Sequence, residues 1–339
     1  MQNSITIADM TVKPGDKKTL RLPVAPLYTH SQMTLPVHVI HGRKAGPRLF
    51  VSAAIHGDEL IGIEIIRRLM KLKKLQRLRG TLIAVPVVNV YGFVQQSRYL
   101  PDRRDLNRFF PGSEKGSLTS QLAGLFMQEI VQGSTHGIDL HAGSNHRTNL
   151  PQVRAHLDDP ETRRLALAFK TPVVLNARLR EGSLRQAVAD KGIPMLLYEA
   201  GEALRFDELS IKAGIRGIVA VMDAIGMLLP GRRQQSGIQP LVAETTAWVR
   251  APASGIFRTG VRLGARISKN SKLGQIADPF GDSETDVRAP HTGMVIGCLN
   301  LPLVHQGDAL FHIAQFKESK GIEPTLEEFK EELNGSLSD

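Results

Sequence analysis

A strand–helix–strand succession in the first third of the chain limits its fold more than any other feature. Arg48–Ile55 (RLFVSAAI) and Thr81–Val88 (TLIAVPVV) are continuous apolar runs. Such runs mark strands covered on both faces, because a strand with one wet face alternates polar and apolar residues. Between them Leu60, Ile63, Ile66, Leu69, Met70, Leu72 and Leu75 recur mostly at spacings of three and four. That spacing predicts an amphipathic helix from Glu59 to about Leu78. A helix crossing between two buried strands implies a parallel pair. The alternation continues with a helix over Ser120–Val131, a strand end at Gly137–Leu140 and a strand at Pro172–Leu175. A helix near Ser183–Asp190, a strand at Pro194–Tyr198 and a longer helix over Asp207–Leu229 follow. The expectation is an α/β domain with a mixed, largely parallel sheet and helices on both faces.

The two ends of the chain read differently. Residues 1–45 are short strands and turns punctuated by Pro14-Gly15, Pro23, Pro26 and Pro36, expected to pack on the α/β domain of residues 46–232. Near Gly231 the polar linker GRRQQSG begins, and helical periodicity disappears until about Glu318. An internal repeat takes over. Val249-Arg250-Ala251-Pro252-Ala253-Ser254-Gly255-Ile256 matches Val287-Arg288-Ala289-Pro290-His291-Thr292-Gly293-Met294, and each copy leads to a second strand, Ile267–Ile276 or Val304–Ile313. Two such halves predict a small all-β domain of pseudo-twofold symmetry over residues 240–316, similar to the barrel-sandwich fold of lipoyl and biotinyl domains. Those carriers modify a Lys in the hairpin after the second strand. Here that hairpin reads Ala277-Asp278-Pro279-Phe280, so a carrier role is not expected. Residues 317–339 read as an acidic, polar tail with a terminal helix and a frayed end.

The length of 339 residues fits two domains of about 150 residues each. A hydrophobic fraction of 42% with 22% charged residues excludes disorder, collagen and coiled coil. The one cysteine, Cys298, excludes an intrachain disulfide and a Cys-based zinc cluster, and fits a reducing compartment. The start, MQNSITIADMTVKPGDKK, has no basic segment followed by an apolar run. The longest apolar stretch, Gly217–Pro230, is too short for a bilayer and carries Asp223. A cytoplasmic protein with no membrane partner is expected. The net charge of +10 admits anionic partners of any size. Much of it lies in Arg67, Arg68, Lys71, Lys73, Lys74, Arg77 and Arg79, read as a solvated helix face. Few aromatics lie nearby to stack on bases, which argues against nucleic acid. Phosphate-loop, dinucleotide and serine-elbow motifs are all missing.

Three features fall at predicted strand ends: His56-Gly57-Asp58-Glu59, Asp139-Leu140-His141 and Tyr198-Glu199-Ala200-Gly201. Ligand sites of parallel sheets form at the carboxyl ends of strands, so these distant segments can meet. His56 and Glu59 across a strand-to-helix turn, joined by His141, make the two-His, one-carboxylate set used by catalytic zinc, with a position open for water. Zinc in such a set brings the pKa of water to about 7. Asp139 is either an orienter of His141 or a strand-end cap. Glu199 is then the candidate general base. His136, His146, His291, His305 and His312 are read as packed or solvated residues. A basic loop over Gln96–Gly112 alternates Arg98, Asn107 and Arg108 with aromatics, which suggests partial burial. A buried Arg needs an anion, and its planar fork suits a substrate carboxylate or a developing oxyanion. Arg178, Arg180 and Arg185 reach either into the cleft or out to solvent.

The combination HGDE, DLNRFFPG, DLHAG and YEAGE resembles the succinylglutamate desuccinylase and aspartoacylase family of the zinc carboxypeptidase superfamily, over roughly residues 45 to 315. The resemblance implies a zinc carboxypeptidase-like fold with a C-terminal β domain. It implies one zinc per chain on His56, Glu59 and His141, with Glu199 as general base. It implies that Asn107 and Arg108 bind a substrate carboxylate and that Arg98 polarises the scissile carbonyl. The expected reaction is hydrolysis of the amide bond of a small, anionic N-acyl amino acid. A carboxypeptidase acting on a peptide C-terminus and a non-enzymatic binding protein for an acidic partner are the alternatives, and oligomerisation is left open.

Overall fold

The computed structural model describes residues 2–229, 238–317 and 322–335. The linker Gly231–Gly237 lies outside the described residues, as do 318–321 and 336–339 of the tail. A small hairpin, β1 (Ile5–Ile7) and β2 (Met10–Val12), precedes β3 (Lys17–Val24) and β4 (Met33–His41). The central region runs β5 (Lys44–Ala53), α1 (Ile61–Leu69), β6 (Arg79–Val85), α2 (Val90–Val94), α3 (Leu118–Phe126), β7 (His136–Gly143) and β8 (Arg147–Ala155). It continues through α4 (Pro160–Ala168), β9 (Val173–Asn176), α5 (Leu184–Ala189), β10 (Met195–Glu202) and α6 (Glu208–Ala224).

The main sheet has the order β3-β4-β6-β5-β7-β10-β8 through this region. Its centre, β6-β5-β7-β10, is parallel, while β3, β4 and β8 add antiparallel flanks. The first 45 residues thus contribute two strands to the main sheet instead of only lying against it. One face is covered by α1, α4 and α6 through Ile61, Ile65, Leu165, Phe169, Ile211 and Ile218. The other carries α3 and α5 through Leu122, Phe126, Leu184 and Val188. Coverage on both faces explains why β5 and β6 read as unbroken apolar runs.

Several boundaries differ from expectation, and three have a clear local reason. The helix expected to reach Leu78 ends at Leu69, and Lys73–Arg77 forms a 3-10 turn. Leu69, Leu72, Leu75 and Leu78 recur every three residues, the period of a 3-10 helix, so the apolar stripe continues while the α-helix does not. β6 stops at Val85 because Pro86 has no N–H for the ladder. α6 stops at Ala224, where Gly226 (φ +74°) donates to Asp223 O and Met227 donates to Met222 O. β8 and α4 had no counterpart in the sequence reading.

The repeat is a duplication of four strands. β11 (Leu241–Ala243) pairs with β9. Next come β12 (Thr245–Arg250), β13 (Gly255–Thr259), β14 (Arg266–Ile267) and β15 (Lys272–Ala277). Their counterparts are β16 (Glu284–Arg288), β17 (Gly293–Leu299), β18 (Leu303–Val304) and β19 (Ala309–Gln315). One sheet, β16-β15-β13-β18, is separate, but β17 pairs with β8 and carries β19 and β12 into the main sheet. A core of Val249, Phe257, Leu273, Val287, Val295 and Phe311 lies between the two layers. The chain closes with α7 (Ile322–Gly335), whose Phe329 and Leu333 join the core beside α6.

The approach of α1 to the sheet positions the loop before it. A Cβ on Gly62 would lie 2.6 Å from Ala53 Cβ and 2.8 Å from Leu140 Cβ, so the helix can sit this close to β5 and β7 only with glycine there. Gly62→Ala should therefore destabilise the protein by about 1–3 kcal/mol through overpacking. Urea unfolding would show a lower midpoint with an unchanged slope, and an unchanged midpoint would count against the close approach of α1 to β5 and β7.

Candidate active site

His56, Glu59 and His141 come together at the carboxyl ends of β5 and β7, all buried, with candidate ligand atoms within 4.8 Å of one another. β5 delivers His56 just past its last residue, and Glu59 follows in the turn into α1. His141 lies on β7 itself. His56 Nδ1 is 2.6 Å from Glu59 Oε1, and His141 Nδ1 is 2.8 Å from Glu59 Oε2. The outer nitrogens meet carboxylates too. His56 Nε2 lies 3.1 Å from Asp105 Oδ1, and His141 Nε2 lies 2.7 Å from Asp139 Oδ2. Ser52 on β5 donates to the other oxygen of Asp139 at 2.7 Å. A carboxylate on Nε2 holds the proton there and turns the Nδ1 lone pair toward a metal, the usual support of a metal-binding imidazole. Two imidazoles and a carboxylate so arranged suit a catalytic zinc.

The charges depend on one another. Burial alone would raise the Glu59 carboxyl, but His56 and His141 beside it hold it well below the usual carboxylate range. Burial would lower both imidazoles, yet Glu59 and Asp105 raise His56, and Asp139 and Glu59 raise His141 well above its ordinary value. Asp105 is likewise lowered by His56 and Arg98 against the effect of its own burial.

Glu199 lies on β10 directly opposite His141 on β7, so both side chains rise from one face of the sheet. Its Oε1 accepts from Asn149 Nδ2 at 2.8 Å, and its Oε2 lies 2.7 Å from Arg154 Nε. Arg98 borders the cluster, donating to Asp105 at 2.9 Å and lying 3.4 Å from Glu59. Asn107 and Arg108 sit in the next turn, where the Asp105 carboxylate also accepts from Asn107 N. Asn107 Oδ1 accepts from Leu184 N, leaving Nδ2 as its donor. Arg108 is exposed, and its guanidinium is lowered by burial and by Arg180 and Arg98 while Asp105 opposes them. Arg180 is exposed. Arg185 is committed to the carbonyls of Ala177 and Arg178, and burial with Arg154 nearby pushes it down to about 10.

Asp105, Asn149 and Arg154 were not singled out from the sequence as functional. Asp105 stands inside the DLNRFFPG stretch and could have been found there. Asn149 and Arg154 sit on β8, which had no sequence signal. Of the histidines read as packed or solvated, His312 is buried and stacked on Trp248 with ring centroids 4.3 Å apart. His146 lies on the rim, 4.0 Å from Glu202. In the basic run, Arg67 and Arg68 are paired with Glu64, and Arg68 also with Glu208.

The parallel centre of the sheet thus carries at its strand ends a buried His-Glu-His cluster that could hold a metal ion, with a glutamate facing it. Residues 45–225 match the model of the succinylglutamate desuccinylase/aspartoacylase catalytic domain, and the chain belongs to that family. It is an amide-hydrolysing enzyme. The N-alpha-acetyl-L-2,4-diaminobutyric acid deacetylase of Halomonas elongata is 28% identical over 300 residues, covering 85% of this chain and 87% of the relative. The product-bound ectoine utilization protein EutE (DoeB) of Ruegeria pomeroyi superposes with a TM-score of 0.82 at 25% identity, over 93% of this chain and 100% of that one. A succinylglutamate desuccinylase/aspartoacylase of Rhodobacter sphaeroides shares the fold, with a TM-score of 0.79 at 23% identity over 89% and 95% of the two chains. No described helix is long and apolar enough to cross a membrane.

The raised imidazoles give a pH prediction. Their folded pKa values exceed the unfolded value of 6.5, so in metal-free protein their stabilisation is complete below that pH and is lost as pH rises through the folded values. A metal needs neutral Nδ1, so loading Zn2+ should release protons, and affinity should fall as pH is lowered. Calorimetry of chelator-treated protein in buffers of different ionisation heat reads both effects, and proton-free binding would contradict the charge pattern. Asp139→Asn should weaken metal binding by about 10–100-fold.

Proposed function

We propose that the chain is a zinc-dependent deacylase hydrolysing the amide bond of small, anionic N-acyl amino acids. The observation that carries this reading is the meeting of the His56–Glu59–His141 cluster with Glu199 across adjacent strands, with Arg98 at its border and Arg108 in the turn after Asp105. Zinc held by His56, Glu59 and His141 would supply Lewis acidity and bring the pKa of water near neutrality. Glu199, with its carboxylate on the same face, takes the proton of the attacking water and returns it to the leaving amine. Asn107 Nδ2 and the Arg108 fork hold the substrate carboxylate. Arg98 now rests on Asp105 and Glu59 and turns to the carbonyl oxygen as negative charge develops. The Halomonas relative is named for an N-acetyl amino acid, which supports the N-acyl reading. The arginines around this cleft favour an anionic substrate.

Native enzyme should carry about one zinc per chain, and His56→Ala with His141→Ala should lose it, as read by elemental analysis. Glu199→Gln should keep the metal and lose about 10²–10⁴ in kcat. The panel is N-acetyl-L-aspartate, N-succinyl-L-glutamate, N-alpha-acetyl-L-2,4-diaminobutyrate and a short peptide. Turnover of the peptide alone would replace the deacylase with a carboxypeptidase. A metal-free native protein that takes up no zinc would remove the mechanism.

A further inference from the structure

We propose that Asn149 and Arg154 are positioning residues for Glu199, and that Gly297 of the C-terminal β segment makes room for this clamp. The inference rests on the reading of Glu199 as general base. Both oxygens of its carboxylate are engaged from β8. Asn149 Nδ2 donates to Oε1 at 2.8 Å, and Arg154 Nε forms a 2.7 Å ion pair with Oε2 that is not aligned as a hydrogen bond. The register explains the two-sided grip. Glu199 pairs with Gln152, Gly201 with Asn149 and Leu197 with Arg154, and the register shifts by one residue between Glu199 and Gly201. That bulge lets Asn149 and Arg154, five residues apart, reach the same carboxylate from its two sides.

The other edge of β8 is divided. Its first residues, through Asn149, pair with β17, whereas Gln152 to Ala155 pair with β9. Asn149 therefore lies at the fork where the C-terminal β segment joins the catalytic sheet, directly opposite Gly297. A Cβ at residue 297 would lie 2.8 Å from Asn149 Oδ1 and 3.2 Å from His312 Cβ. Gly297 does not have a positive φ, so its requirement is for space and not for conformation. Any side chain there pushes the Asn149 amide that holds Glu199.

Arg154 pairs with Glu199, while Arg185, held by the carbonyls of Ala177 and Arg178, is a second cation that acts on both. Gln152, between the two clamp residues, is a neutral amide, fully buried with neither of its polar atoms hydrogen-bonded. His312 is pushed down to about 3 by burial and by Arg154, and so stays neutral. A proton-transfer group must stay within hydrogen-bond reach of its target, and a displacement of about 1 Å can cost about 100-fold in rate. The clamp thus gives the C-terminal segment a part in catalysis without contact with the substrate.

The test uses zinc-loaded, full-length enzyme and the panel substrate turned over fastest. Asn149→Ala should lower kcat by about 10–100-fold with KM changed less than about two-fold, because the carboxylate loses its aim and not its substrate. Arg154→Lys should recover part of the rate lost in Arg154→Ala. Gly297→Ala should lower kcat in the wild-type background and have no further effect on Asn149→Ala, where the space is already open. Crystal structures of Asn149→Ala and Gly297→Ala should show the Glu199 carboxylate displaced. Additive effects of Gly297→Ala and Asn149→Ala, a wild-type kcat in Asn149→Ala, or an unmoved Glu199 in both crystals would each overturn the clamp. If Glu199→Gln is inactive while Asn149→Ala is fully active, only the clamp fails. If Glu199→Gln is fully active, the base assignment itself falls. The crystal structures decide the matter even where no panel substrate is turned over.

Discussion

The structure is organised around one buried carboxylate. Glu59 is almost fully enclosed, and an ion of that size costs several kcal/mol to remove from water unless its partners follow it. Those partners come from separate parts of the chain: His56 before it, His141 on β7, the Ala142 N–H at 3.1 Å and the Arg98 guanidinium. Asp105 and Asp139 then balance the outer nitrogens of the imidazoles. The result is an alternating row, Asp105–His56–Glu59–His141–Asp139, in which carboxylates and imidazoles hold one another in contact. Removing one member leaves a charge buried without compensation.

The sheet makes that row possible. β5 and β7 are adjacent and parallel, so their carboxyl ends lie side by side, and β10 brings Glu199 level with His141. The antiparallel strand β8 then connects the catalytic centre to the duplicated β segment through β17. One layer of the β sandwich is thereby continuous with the catalytic sheet. Through this continuity Gly297, distant in sequence from Glu199, lies against Asn149, which donates to the Glu199 carboxylate.

Charge is distributed with the same economy. The arginines of α1 are neutralised locally by Glu64 and Glu208, as expected of a solvated helix face. Arg98 instead pairs with Asp105 beside the cluster, and Asp105 offsets the effect of neighbouring arginines on Arg108. A concentration of guanidinium groups beside the proposed reaction centre favours a negatively charged ligand there, while the similar number on the helix has little reach.

From sequence alone, the α/β class, the parallel centre of the sheet and the duplicated β segment were all determined, because each rests on local periodicity or on repetition. The His-Glu-His set and Glu199 were also visible, since catalytic types at strand ends stand out against apolar runs. Local signals misplaced ends where two periods competed, as in the three-residue leucine spacing after Leu69. They passed over β8 altogether, because the buried polar residues Asn149 and Gln152, with Arg154, interrupt its apolar pattern. Only the tertiary structure decided that Asp105 reaches His56, that Asn149 and Arg154 grip Glu199, and that Gly297 lies beneath Asn149. Those contacts depend on strand order and register, and neither is encoded in the spacing of residues along any single element.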